Sequence, residues 1–276
     1  MPSDDFQLIE YLFLFALIGT VSGFASGMFG IGGGIMRIPI FVILFPLFGI
    51  HGSHEMQVSV ATSLTLAVPS SLIAVLKHRR LGHLDAEYFW KWGMGLLAGV
   101  VIGIAAGSHL PQLALKIAFL VFVLLMIVYF AVLPEELTIF REPPLGLARI
   151  GLAGGVGAYC VSIGIAGGSL ATPVLKLCAM PMTRALAIGS GSSALVASFG
   201  MIGGIWNGWG VDGRPVWAVG YVDSLLVAVM LPGALLFPAL GVGVANRMNA
   251  SLLRKLYAGF LGLIAISMVT HLIAFR

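Results

Sequence analysis

A glycine run set between two apolar stretches, and set there again in the second half of the chain, limits the possible folds more than any other feature. The first run is Gly30-Ile31-Gly32-Gly33-Gly34-Ile35-Met36-Arg37-Ile38-Pro39; the second is Gly164-Ile165-Ala166-Gly167-Gly168-Ser169-Leu170-Ala171-Thr172-Pro173. In a helix interior glycine costs ~1 kcal/mol relative to alanine and proline ~3. The chain is therefore expected to unwind at both places, between segments that are themselves strongly apolar. Lipid cannot satisfy the N–H and C=O groups of unwound backbone, so such a break must be buried in protein or line a polar cavity.

The apolar setting is not in doubt. Hydrophobic residues make up 59% of the 276 positions and charged residues 9%, with a mean hydropathy of +1.05. Soluble domains carry about 25% charged residues, which excludes a water-soluble chain. The formal net charge of +4 fits basic residues gathered in cytoplasmic loops. No basic patch with interleaved aromatics points to nucleic acid. Asp4, Asp5 and Glu10 stand where a cleavable signal needs positive charge, so the N-terminal segment reads as a first span. Cys160 and Cys178 both fall in apolar stretches and read as packing thiols.

Ten apolar segments are expected, at 8–28, 35–48, 58–76, 87–107, 113–133, 146–163, 169–180, 186–206, 217–243 and 252–273. The second and seventh, which follow the glycine runs, are too short for a ~30 Å crossing and read as half-helices or re-entrant pieces. Lys77, Arg79 and Arg80, then Arg184, then Arg247, Arg254 and Lys255 fall in loops on one side if all ten cross. That side is the cytoplasm, with both termini outside. The five tryptophans, Trp90, Trp92, Trp206, Trp209 and Trp217, sit near segment ends and are expected at the headgroup level. Asp85 and Asp223 open matched helices and are expected to cap them.

The halves can be superposed as sequence. Gly30, Gly33, Gly34 and Pro39 match Gly164, Gly167, Gly168 and Pro173 at a constant offset. Val60-Ala61-Thr62-Ser63 falls on Ile188-Gly189-Ser190-Gly191, Gly82-His83-Leu84-Asp85 on Gly220-Tyr221-Val222-Asp223, and Leu115-Lys116 on Leu253-Arg254. The expected organisation is a first transmembrane repeat over 1–133, a cytoplasmic connector over 134–145 and a second repeat over 146–276. Five crossings per half, an odd number, would invert the second repeat relative to the first. The expected fold is thus all-α: a polytopic helical membrane protein of two inverted repeats, each with a short second segment preceded by a glycine-rich break. Interrupted helices at matched positions of two such halves point to a solute site near the midplane.

Restarting helices offer free N–H groups and a positive dipole end, and glycine lets an anion approach the backbone. The expected substrate-binding residues are Gly32, Gly33, Gly34, Arg37, Thr62, Ser63, Gly167, Gly168, Ser169 and Ser190, with Pro39 and Pro173 as hinges. Close helix packing is the competing role for the glycines. For Arg37, neutralising an anion competes with snorkelling or pairing to Glu55. For the hydroxyls, the alternative is back-bonding to their own helix. His51 to Glu55 lacks a third well-spaced ligand for a metal, and no cofactor is implied.

GIGGG (Gly30 to Gly34) with Pro39, IAGGS (Ile165 to Ser169) with Pro173, Ala61-Thr62-Ser63-Leu64 and Arg80-Leu81-Gly82-His83-Leu84-Asp85 together resemble the TauE/SafE family of sulfite and sulfonate exporters. The resemblance runs from about residue 12 to 272. It implies a multi-pass protein of the bacterial inner membrane that moves small sulfur-containing anions, such as sulfite, sulfonates or thiosulfate, outward. It implies no enzymatic activity and, as partners, only the anion and the lipid bilayer. Two positions depart from the family's pattern: Ser190-Gly191, where Thr-Ser is commoner, and Arg37 inside the first motif. An anion-selective channel shares this chemistry. An intramembrane hydrolase, suggested by Gly189-Ser190-Gly191-Ser192, lacks a base in a facing span other than His271 near the end.

Overall fold

A computed structural model describes residues 5–29, 33–47, 54–107, 109–134, 137–245 and 247–274. The helices are α1 (Asp5–Phe29), α2 (Gly34–Leu47), α3 (Glu55–Arg80), α4 (Ala86–Gly107), α5 (Gln112–Ala131), α6 (Gly146–Ser162), α7 (Gly168–Leu177), α8 (Met182–Asn207), α9 (Ser224–Leu236), α10 (Pro238–Ala245) and α11 (Ala250–Ala274). Two dipeptide strands, β1 (Ala218–Val219) and β2 (Val222–Asp223), form an antiparallel turn before α9. Six stretches are long and apolar enough to cross a membrane among the described residues. The chain is a polytopic helical membrane protein.

The short segments come out short. α2 has 14 residues and α7 has 10, so at 1.5 Å per residue they reach ~21 and ~15 Å. Neither Pro39 nor Pro173 ends its helix. Both lie in the second turn, where each removes one backbone bond to the carbonyl four residues back. The interruption itself lies at the glycines.

Two expectations are corrected. The ninth segment does not run unbroken over 217–243: the β1–β2 turn occupies its start, and the helix divides at Phe237 into α9 and α10. Pro238 opens α10 because it lacks an N–H and its ring disfavours a helical conformation in the residue before it. Trp92 does not face lipid or water. It is fully buried and donates Nε1–H to Ser192 Oγ at 2.9 Å, whereas Trp90, Trp206, Trp209 and Trp217 are exposed.

Close approach of backbones organises the bundle. Gly95, Gly99, Gly103 and Gly107 recur every fourth residue on one face of α4, and that face lies along α6, meeting Ile150, Gly154, Ala158 and Ser162 in turn. The two helices therefore run parallel. α1 runs parallel to α9 and α10 in the same way: Gly19 meets Met230, Gly23 meets Gly233 and Ala234, and Gly241 meets Phe24 and Met28. At the centre α3 and α8 run antiparallel, with Leu64 against Gly200 and Ala61 against Gly204, while α5 packs against α11 through Phe122, Phe130, Tyr257 and Leu261.

Both aspartates cap as expected. Asp85 Oδ1 accepts from Tyr88 N–H at 3.0 Å and opens α4; Asp223 Oδ1 accepts from Leu226 N–H at 3.1 Å and opens α9. The connector is pinned across the bundle: the N–H groups of Ile139 and Phe140 bond to the Leu177 carbonyl, and Tyr88 donates to the Pro144 carbonyl at 3.2 Å. Thr62 is buried and its Oγ1 accepts from Asp223 N–H at 3.0 Å, tying α3 to β2. Thr62→Val leaves that buried N–H unsatisfied and is expected to cost ~1–3 kcal/mol. Thr62→Ser keeps the acceptor, so it should melt close to the unaltered protein in detergent.

Candidate functional site

The two breaks meet. A Cβ added to Gly34, the first residue of α2, would lie 3.1 Å from the Gly164 carbonyl oxygen and 3.2 Å from Ser63 Oγ. Ser63 closes the junction by donating to that same carbonyl at 3.3 Å. Gly33 needs its positive φ of 68°, and the end of the Arg37 side chain lies directly beneath it. Gly32 lies outside the described residues, as do Gly30, Ile31 and residues 51–53 of the His51–Glu55 stretch.

Arg37 is 2% exposed; its Nε donates to Ser22 Oγ at 3.1 Å while Nη1 meets no acceptor. The ion pair found among the described residues is Lys91–Glu87, on the surface of α4, and none there involves Arg37. A buried guanidinium without a counter-charge is costly.

Beside the junction, a cavity of about 300 Å³ lies between α1, α3, α7, α8 and α10. That is room for a small anion with several waters. One face of α3 supplies Ala67, Ser70, Ser71, Ala74 and His78, and one face of α8 supplies Leu186, Gly189, Ser190 and Ser193. These are helical spacings of three, four and seven residues, each drawn from a single stripe. The second break contributes Ala166, Gly168 and Thr172, α1 contributes Ser26, and α10 contributes Pro238.

The start of α7 gives this cavity its electrostatic character. Gly168 N–H donates to Ser193 Oγ at 2.8 Å, and the N–H groups of Ala166 and Gly167 have no backbone acceptor among the described residues. Ser193 accepts with its oxygen, which leaves its O–H to donate elsewhere. The Thr172 hydroxyl makes only a long bond of 3.5 Å to the Ala185 carbonyl. Ser70, Ser71 and Ser190 are back-bonded to Ala67, Val68 and Ala187, and a hydroxyl so placed can rotate toward a ligand.

Of the residues expected at a site, Gly168 and Ser190 line this cavity. Gly34 and Ser63 form the junction next to it. Gly167 packs on Ser192 and Val196, Ser169 is buried, Thr62 holds β2, and Arg37 reaches toward α1. Ser26, Ser70, Ser71, Thr172 and His78 were not among the expected residues; the stripe at 67, 70, 71, 74 and 78 was the available signal. Ser190 lies within a continuous helix, α8, so no nucleophile turn surrounds it.

At the other end of α3 and α8 a gap of only about 50 Å³ remains, bordered by Gln57, Gly103, Ser162 and Asn207. Ala61, Leu64, Gly200 and Gly204 form part of its wall.

A helical bundle that crosses the bilayer many times, with two interrupted half-helices meeting beside a hydroxyl-lined cavity, defines a membrane transport protein. The sulfite exporter TauE/SafE family matches residues 15–268, and the chain belongs to that family. Over 268 residues it is 26% identical to a probable membrane transporter protein of Haemophilus influenzae, covering 95% of this chain and 99% of that one. It is also 23% identical over 273 residues to a probable membrane transporter protein of Methanocaldococcus jannaschii, covering 96% and 98%. No solved structure matches it.

Proposed function

We propose that this protein is a carrier that exports small sulfur-containing oxyanions of the sulfite, sulfonate or thiosulfate class across the bacterial inner membrane. The observation that carries this reading is the cavity at the start of α7, where the Ala166 amide, without a backbone acceptor among the described residues, the Ser193 hydroxyl and a helix N-terminus converge. Backbone donors at a helix start favour an anion with several acceptor oxygens, because each oxygen can take a bond without a side chain intervening. Arg37 adds a buried positive charge at the partner break, in no ion pair among the described residues.

The two-repeat organisation, 1–133 and 146–276 joined by 134–145, belongs to the same proposal. It is supported by reciprocal packing: α4 of the first half lies along α6 of the second, α9 and α10 of the second along α1 of the first, and α3 crosses α8 antiparallel. With Lys77, Arg79 and Arg80 facing the cytoplasm, the 300 Å³ cavity is the inward-facing end of the site and the 50 Å³ gap its closed outward counterpart. Contacts closing one end suit alternating access better than an open channel.

The test is transport by the purified protein in liposomes. Labelled sulfite or a sulfonate should accumulate in counterflow against unlabelled anion and saturate with concentration. No movement across a panel of sulfur oxyanions overturns the substrate class, and flux without saturation or counterflow overturns the carrier.

A further inference from the structure

The loop after α3 sets a second imidazole against the one that lines the cavity. α3 ends in a glycine-closed turn: Leu81 N–H bonds to the Lys77 carbonyl, Gly82 N–H to Arg79 and His83 N–H to His78, each at 3.1 Å, with Gly82 at a φ of 70°. A turn of this kind ordinarily brings an apolar residue beyond the glycine onto the last helical turn. Here the residue beyond the glycine is His83 and the one it covers is His78; their ring centroids lie 5.9 Å apart at 48°. Nδ1 of each ring is buried and has no hydrogen-bond partner.

His78 is the one ionisable side chain among the described residues lining the cavity. The walls facing it from α1, α7, α8 and α10 carry Ser26, Thr172, Ser190, Ser193 and apolar groups. On its own helix stand Lys77, Arg79 and Arg80, with His83 across the turn and Asp85 committed to the Tyr88 N–H. Lys77 and His83 are its nearest basic neighbours in the chain and across the turn. Among the described residues no carboxylate lines this cavity to pair with an imidazolium. An oxyanion entering the cavity supplies the missing negative charge.

We infer that His78, backed by His83, takes up a proton as the oxyanion binds, so that the protein carries anion and proton together. The inference rests on the proposed function, since it concerns the ligand of that same cavity. Coupling between two bound species is reciprocal: an anion that raises the proton affinity of His78 is itself bound more tightly when His78 is protonated. Where binding takes up one proton, affinity rises about tenfold for each pH unit of acidification.

The experiment uses the full chain in detergent and methanesulfonate, whose charge is constant across the range. Calorimetry in two buffers of different ionisation enthalpy counts the protons taken up. The expected results are uptake approaching one proton, affinity tightening up to about tenfold between pH 7.5 and 6.5, and neither effect in His78→Gln. His83→Gln, which removes a like-charged neighbour, should keep the uptake and move it to higher pH. Ser193→Ala should weaken binding and leave the uptake in place. Wild-type binding with no proton uptake and equal affinity at both pH values overturns this inference alone. Uptake retained in His78→Gln overturns the assignment to His78. No sulfonate binding at any pH, together with no transport, overturns the proposed function and this inference with it.

Discussion

Gly99→Leu is expected to yield no folded protein. A Cβ on Gly99 lands on the Gly154 carbonyl of α6, and the next contacts along the seam are nearly as close: one on Gly103 would lie 2.5 Å from the Ala158 carbonyl oxygen. Ordinary overpacking costs ~1–3 kcal/mol because a neighbouring side chain rotates away. A helical carbonyl cannot, so α4 must withdraw along its whole length and lose the contacts of Trp92, Leu96 and Val100 with Ala153, Val156 and Cys160. Losses of that size exceed the stability of most domains. Gly155→Leu is the control, since an added Cβ there meets nothing within 4 Å. Size-exclusion profile and thermal unfolding in detergent should separate the two variants completely. A folded Gly99→Leu protein would show that the α4–α6 seam does not hold the bundle.

Ala74→Phe is expected to abolish transport while the protein folds. Ala74 lines the cavity on the α3 stripe between Ser70 and His78, so an aromatic ring there takes space the anion and its waters would use. It displaces water rather than packed side chains, and stability should change little. Under the proposed function, flux should fall at least about a hundredfold, since each tenfold needs only 1.4 kcal/mol of exclusion. Ile73→Phe is the matched control: Ile73 is 61% exposed and points away from the cavity. Equal transport by the two variants would remove the cavity from the path.

Much of this architecture was legible because membrane interiors punish the wrong residue so heavily. Glycine runs and prolines located the two half-helices, and the half-helices are short as expected. Asp85 and Asp223 were legible as caps, since a carboxylate before a long apolar helix has few other uses. The break at Pro238 was hidden inside an apolar run, where hydropathy stays high on both sides of a turn. The burial of Trp92 was not legible because the interfacial preference of tryptophan is an average, and Ser192 gives this one a buried partner. The cavity was only half legible. Thr62 and Ser190 occupy matched positions, yet Thr62 holds the Asp223 N–H while Ser190 faces the cavity. Sequence symmetry cannot show which of two matched surfaces is open in a given state. The α3 stripe ending in His78 was readable by helical spacing, but small residues on one face read equally as packing.

The central claim is that the start of α7, at the meeting of the two breaks, holds one oxyanion. Crystals of the full chain grown with selenite, a heavier oxyanion of the same shape as sulfite, test it through anomalous scattering. The account predicts a single selenium peak within about 4 Å of the Ala166 amide and the Ser193 hydroxyl, displaced by excess sulfite. A transport-competent protein whose selenium sits only at the lipid headgroup level, or nowhere in the cavity, would contradict it.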